Sequence, residues 1–125
     1  TGPAEDSAAL SAAEVLRLRR EGVVRLLDVR EPHETLVQGI PDAGVLPLGA
    51  LEEGAAVPAF LASGDGPLVV FCEKDPRSRR AVRVLRERGV EAHYLAGGIR
   101  AFAAVGGETE GAGAAPAPND RKDSE

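Results

Sequence analysis

Apolar positions along the chain follow two periods, one near 3.6 residues and one of short continuous runs. Val15, Leu16 and Leu18 share one side of a helical stretch that Ser11-Ala12-Ala13-Glu14 opens as a capping box and Gly22 is placed to end. Residues 24–29, Val-Arg-Leu-Leu-Asp-Val, are a β-branched and leucine run that predicts a buried strand. Pro32 suits the first position of a short helix. Residues 39–44 are a turn-rich connection, 45–48 a short strand and 57–62 a weak helix. Residues 67–71, Pro-Leu-Val-Val-Phe, are the clearest buried strand, and they end directly on Cys72. Helical spacing returns over residues 78–88, with Ala81, Val82 and Leu85 inward and a row of arginines outward, until Gly89. Residues 92–95 predict a strand, Gly97-Gly98 a turn, and residues 99–104 a last helix.

Strands alternating with helices predict an α/β class: a single domain with a mainly parallel sheet flanked by helices on both faces. Residues 1–10 read as a flexible lead or linker, 11–105 as the domain, and 106–125 as a disordered tail of Gly, Ala, Pro and charge.

Composition narrows the function classes. The 125 residues suit one domain, and no apolar run is long enough to span a bilayer, so no membrane partner is expected. A net charge of -5 argues against nucleic acid as a partner. One cysteine forms no internal disulfide and fits a reducing, cytoplasmic setting. Two histidines and one cysteine, far apart, make no metal signature, and no cofactor is expected; His33 and His93 read as surface or edge residues. The chain opens at Thr1 without a Met, as expected of a processed or excised piece of something longer.

The chemistry concentrates at Cys72-Glu73-Lys74-Asp75-Pro76-Arg77-Ser78. A buried strand ends on the cysteine, a loop follows, and a helix begins. Successive loop N–H groups can curl toward one point, and the helix start adds partial positive charge there. Such a cradle favours a thiolate, a persulfide or a bound oxyanion. An inert buried thiol is the plain alternative for Cys72. Asp28 and Arg30, at the end of the earlier strand, read as a supporting buried pair near the loop. Arg77 is left open between organising the loop and touching an anionic substrate. Lys74 contacts a substrate sulfonate or is simply exposed, and Arg79 and Arg80 lie where they could steer an acidic partner.

Four stretches together resemble the rhodanese family over residues 11–105. Leu26-Leu27-Asp28-Val29-Arg30-Glu31-Pro32 is similar to the family's early strand with its Asp-x-Arg motif. Gly39-Ile40-Pro41-Asp42-Ala43 resembles Gly-His-Ile-Pro-Gly-Ala, with Gly39 where the family usually has His. Cys72 to Ser78 resembles the loop Cys-x-x-Gly-x-Arg-Ser, with Asp75 in the place of Gly. Leu95-Ala96-Gly97-Gly98-Ile99-Arg100-Ala101-Phe102 resembles the closing Leu-x-Gly-Gly-x-x-x-Trp, with Phe102 for Trp.

The resemblance implies a sulfurtransferase of the thiosulfate sulfurtransferase type. Cys72 is the nucleophile and residues 73–78 the persulfide-binding loop. The donor is a small sulfur compound such as thiosulfate or a protein persulfide. The acceptor is cyanide, a thiol or a sulfur-carrier protein. The Asp-Val-Arg-Glu-Pro opening resembles rhodanese domains fused behind adenylyltransferases. Related phosphatases and arsenate reductases place five residues between Cys and Arg; here four lie between Cys72 and Arg77, which disfavours that alternative. A non-catalytic binding module is the other alternative, against which Cys72 and Arg77 both speak. Glu73 and Asp75 predict that thiosulfate, a dianion, is repelled by the loop.

Overall fold

The computed structural model describes residues 8–113 of the protein. Its centre is a five-stranded parallel sheet with the order β1-β5-β4-β2-β3. The strands are β1 (Ala9–Leu10), β2 (Arg25–Asp28), β3 (Gly44–Val45), β4 (Leu68–Phe71) and β5 (His93–Leu95). The helices are α1 (Ala12–Glu21), α2 (Pro32–Val37), α3 (Leu48–Glu52), α4 (Ala59–Ala62), α5 (Pro76–Glu87) and α6 (Gly98–Ala104). The expected α/β class, parallel sheet and two-sided helical cover are all present.

Strand periodicity divides the core into two layers. Leu68, Val70 and Cys72 point to one face, where they pack with Leu27, Leu51, Leu61, Ala81, Val82 and Leu85. Val69 and Phe71 point to the other, against Val15, Leu16, Leu26, Ile99 and Phe102. β4 is therefore buried on both sides, which explains its uninterrupted apolar run. The same alternation sets Cys72 on the face of α5, the helix that follows it.

Strand order places the chemistry. From β2 the chain moves outward through α2 to β3, and from β4 it moves the opposite way through α5 to β5. The loops leaving β2 and β4 thus diverge at the switch point of the sheet, where open α/β folds bind ligands. Register levels Asp28 with Phe71, so Asp28 and Arg30 lie beside Cys72.

Several boundaries differ from expectation. Ser11 caps α1 by accepting from the Glu14 N–H at 3.1 Å, but the Glu14 carboxylate turns to Arg17, so only half of the capping box forms. The short strand expected at residues 45–48 is Gly44–Val45 instead, and Leu48 opens α3, its N–H donating to Val29 O at 3.0 Å while Leu51 is fully buried. Tertiary burial holds a five-residue helix that local propensity does not announce. α5 begins at Pro76 rather than Ser78, since Pro suits the first helical turn.

Both domain edges need correction. Ala9 and Leu10, placed in the flexible lead, form β1 beside Tyr94 and Leu95, and Ala8 is fully buried. Residues 106–113, placed in the disordered tail, fold back onto the end of α2. Gly39 and Glu110 exchange N–H···O bonds of 2.7 and 2.8 Å, and the Ala112 and Gly113 amides donate to Leu36 O and Val37 O. Composition hid this because the strap binds through its backbone and buries no large side chain. The rest of both terminal segments, residues 1–7 and 114–125, lies outside the described residues.

Ending the chain at Val105 would remove these four hydrogen bonds, each worth about 1 kcal/mol net. The truncated protein is expected to melt several degrees lower, and the Gly39 amide to lose protection in hydrogen exchange. An unchanged melting temperature together with an unchanged Gly39 exchange rate would refute the docked strap.

Candidate active site

Cys72 sits where β4 ends, 1 % exposed. Its Sγ is 3.5 Å from the Ser78 hydroxyl, which itself donates to Asp75 O at 2.9 Å. Ser78 is fully buried in the first turn of α5, so the loop closes on itself through this one side chain.

The backbone of the loop is oriented from outside. Ile99 N–H donates to Cys72 O at 2.9 Å, and Arg100 N–H to Glu73 O at 3.4 Å. In a trans peptide the next N–H points opposite to the carbonyl. The Glu73 and Lys74 amides therefore face away from α6, toward the face that carries Cys72 and α5. Among the described residues, no backbone carbonyl accepts from the amides of Glu73, Lys74, Asp75, Arg77 or Ser78. These are the free donors of an anion nest joined to a helix start. Pro76 supplies none.

Gly98 makes this arrangement possible. At φ +66 it lies so close to the loop that a Cβ would stand 2.3 Å from Glu73 O and 2.5 Å from Cys72 O. Asp75 adds a third tether, its Oδ1 accepting from the Gly97 N–H at 2.8 Å. Gly97-Gly98 thus does more than turn the chain.

Asp28 and Arg30 form the buried pair expected of them. The Asp28 carboxylate accepts from Arg30 Nε at 2.9 Å and Nη2 at 2.8 Å, from the Arg30 amide at 2.9 Å and from Thr35 Oγ1 at 2.8 Å. Arg30 also donates to Gln38 O, lies 5.8 Å over the Phe71 ring and reaches Glu73 at 3.6 Å.

Both loop acids have partners. Glu73 is bound to Arg100 at 2.9 Å as well as to Arg30, and Asp75 to the Gly97 amide. Glu73 is thus paired with cations, whereas the partner of Asp75 is a neutral amide. Lys74 is exposed.

One residue beside the loop was not singled out by the sequence. Glu34, on α2, grips Arg77 with both oxygens, Oε1 to Nη1 at 2.6 Å and Oε2 to Nη2 at 2.9 Å. Its Oε1 also accepts from the Glu31 N–H at 2.9 Å. The Arg77 hydrogen bonds hold the Glu34 carboxyl at about 2, well below the usual range, and the same bonds raise Arg77 further. The only sequence signal was its place three residues after Glu31 in a short helix start.

Comparison with known proteins agrees with this geometry. The sequence model of the rhodanese-like domain matches residues 11–105. The chain belongs to the rhodanese-like domain family. The uncharacterized protein slr1261 of Synechocystis sp. is 38% identical over 92 residues, covering 72% of this chain and 49% of its own length. The adenylyltransferase and sulfurtransferase MOCS3-1 of Zea mays is 38% identical over 104 residues, covering 78% of this chain and 22% of its own length. The chain thus spans about half of one curated relative and about a fifth of the other. Among solved structures, the human single-domain sulfurtransferase TSTD1 superposes with a TM-score of 0.64 at 27% identity, over 78% of this chain and 96% of that one.

The Glu34–Arg77 pair has a pH signature. Glu34 has its carboxyl depressed from 4.5 to about 2, so its contribution to stability is present above 4.5 and lost as pH falls toward 2. Wild type is expected to be more stable than Glu34→Gln at pH 6, with the gap narrowing between these two values. Denaturant titrations across that range check it; a gap that stays constant with pH would show that the pair is not the source.

Proposed function

We propose that this rhodanese-like domain is a sulfurtransferase that carries sulfane sulfur as a persulfide on Cys72. The observation that carries the proposal is a strand-ending cysteine followed by a loop whose amides have no backbone acceptor among the described residues, with four residues between Cys72 and Arg77. The Cys72 thiolate attacks the sulfane sulfur of the donor. A new S–S bond forms, the donor's own bond to that sulfur breaks, and its electron pair leaves with the remainder, sulfite when the donor is thiosulfate. The nest amides and the start of α5 stabilise the resulting negative persulfide. A nucleophilic acceptor then attacks the outer sulfur, and Cys72 departs as thiolate. Ser78 Oγ, 3.5 Å from Sγ, accepts from the thiol, and its own proton goes to Asp75 O.

The donor is a small sulfane compound or a protein persulfide, and the acceptor a thiol, cyanide or the activated carboxylate of a sulfur-carrier protein. The maize relative, whose name joins adenylyltransferase to sulfurtransferase, supports the last of these. A single cysteine with no disulfide partner supports a reducing, cytoplasmic setting.

Intact mass after incubation with thiosulfate or a persulfide donor should rise by one sulfur atom, and the gain should be lost on adding cyanide. Cys72→Ser should abolish both the gain and the turnover while keeping the wild-type melting profile. Turnover in that variant near the wild-type level would overturn the persulfide mechanism. Failure of the wild type to take up sulfur from either donor would favour a binding module instead.

A further inference from the structure

Four arginines around the cradle are paired with carboxylates, and a fifth, Arg79, lies over the Tyr94 ring at 5.4 Å. Arg30 carries Asp28, Arg100 carries Glu73, and Arg80 carries Glu52 at 2.7 Å. Arg77, at the end of the loop and in the first turn of α5, carries Glu34 in a two-pronged contact. A planar guanidinium binds two oxygens of a carboxylate in the same fork that it offers to two oxygens of any small oxyanion. The fork of Arg77 is filled by a carboxylate that belongs to the protein.

That carboxylate is well held. Glu34 comes from α2, and its Oε1 is fixed by the Glu31 amide as well as by Arg77. α2 is in turn tied to the sheet by Thr35 on Asp28 and, at its end, by Gln38 O on Arg30. A ligand tethered in this way acts at high effective concentration against any free competitor. It stays ionised through the physiological range.

Resting on the sulfurtransferase reading, we infer that Glu34 is a specificity-determining residue: it occupies the Arg77 fork as an internal competitor and selects against small free oxyanion donors in favour of sulfane sulfur delivered on a protein. A free donor bearing a sulfonate or carboxylate group must either displace Glu34 or bind beside its charge. A protein persulfide brings its sulfur to the cradle on the strength of its own surface contacts, and needs nothing from Arg77. Glu34 therefore acts on binding of the donor, and leaves the reacting sulfur of Cys72 untouched.

The test compares wild type with Glu34→Gln, a change that keeps the oxygen accepting from Glu31 and removes the charge. Cys72 is alkylated with iodoacetate, an anion, and with neutral iodoacetamide, and thiosulfate-to-cyanide transfer is measured in parallel. Glu34→Gln should raise the ratio of iodoacetate to iodoacetamide rates about tenfold, the scale of one charge-assisted contact. It should lower KM for thiosulfate by a similar factor while kcat changes little. Glu34→Ala serves in its place if the Gln variant loses the wild-type melting profile. An unchanged reagent ratio overturns the inference. So does a parallel slowing of both reagents, which would make Glu34 only a support for Arg77. The alkylation ratio needs no sulfur transfer, so a shifted ratio in a chain that transfers no sulfur would count against the proposed function alone.

Discussion

A buried guanidinium organises this site. Arg30 is 1 % exposed, and a charge so far from water is tolerable only when every part of it is paired. The chain meets that demand from three directions. Asp28 at the end of β2 takes two of its nitrogens, Gln38 at the end of α2 offers a carbonyl, and Glu73 in the cysteine loop stands at 3.6 Å. Solvation of one side chain thereby fixes three segments that share no strand or helix. Removing Asp28 would strand a buried charge and release all three, which is why an apparently local Asp-x-Arg step governs the geometry around Cys72.

The second constraint is steric. The amides of a nest point inward only if the carbonyls point outward and find donors there, because each peptide holds the two groups opposed. The start of α6 supplies those donors through Ile99 and Arg100, at a distance that leaves no room for a Cβ on Gly98. The cysteine loop, formed between β4 and α5, is thus shaped by the helix after β5. Parallel strands make this possible: all the loops at one end of the sheet are neighbours, however far apart they lie in sequence.

This explains which parts of the molecule could be read from the residues. The strands β2 and β4, the cysteine at the end of β4, the arginine-faced helix and the supporting Asp28–Arg30 pair all leave local marks: apolar runs, periodicity, or a motif of adjacent residues. What stayed hidden was tertiary. Glu34 and Arg77 are 43 residues apart, and nothing in either neighbourhood announces the other. The strap over Gly39 binds through main-chain groups, so its Gly- and Ala-rich sequence resembles a segment with nothing to bury. β1 is two residues long and owes its place to β5 rather than to its own propensity. Glu73 and Asp75 are visible in the sequence as acids in a loop, whereas their partners Arg100, Arg30 and Gly97 are visible only in the fold.

The distribution of acids around the cradle carries a final consequence. A site built to attract small anions would leave its arginines bare, since each added carboxylate weakens the local positive potential. Here Asp28, Glu34, Glu52 and Glu73 each pair with an arginine, and the loop itself contributes backbone amides that have no backbone acceptor among the described residues. Amide donors in fixed positions stabilise charge that sits on one atom at short range, but they offer little long-range pull on a dianion in solution. Such a cradle suits a persulfide once it has formed on Cys72 better than it suits capture of the free donor. On the sulfurtransferase reading, stabilising the carried sulfur falls to the loop backbone, and recruiting its source falls to whatever surface the donor itself provides.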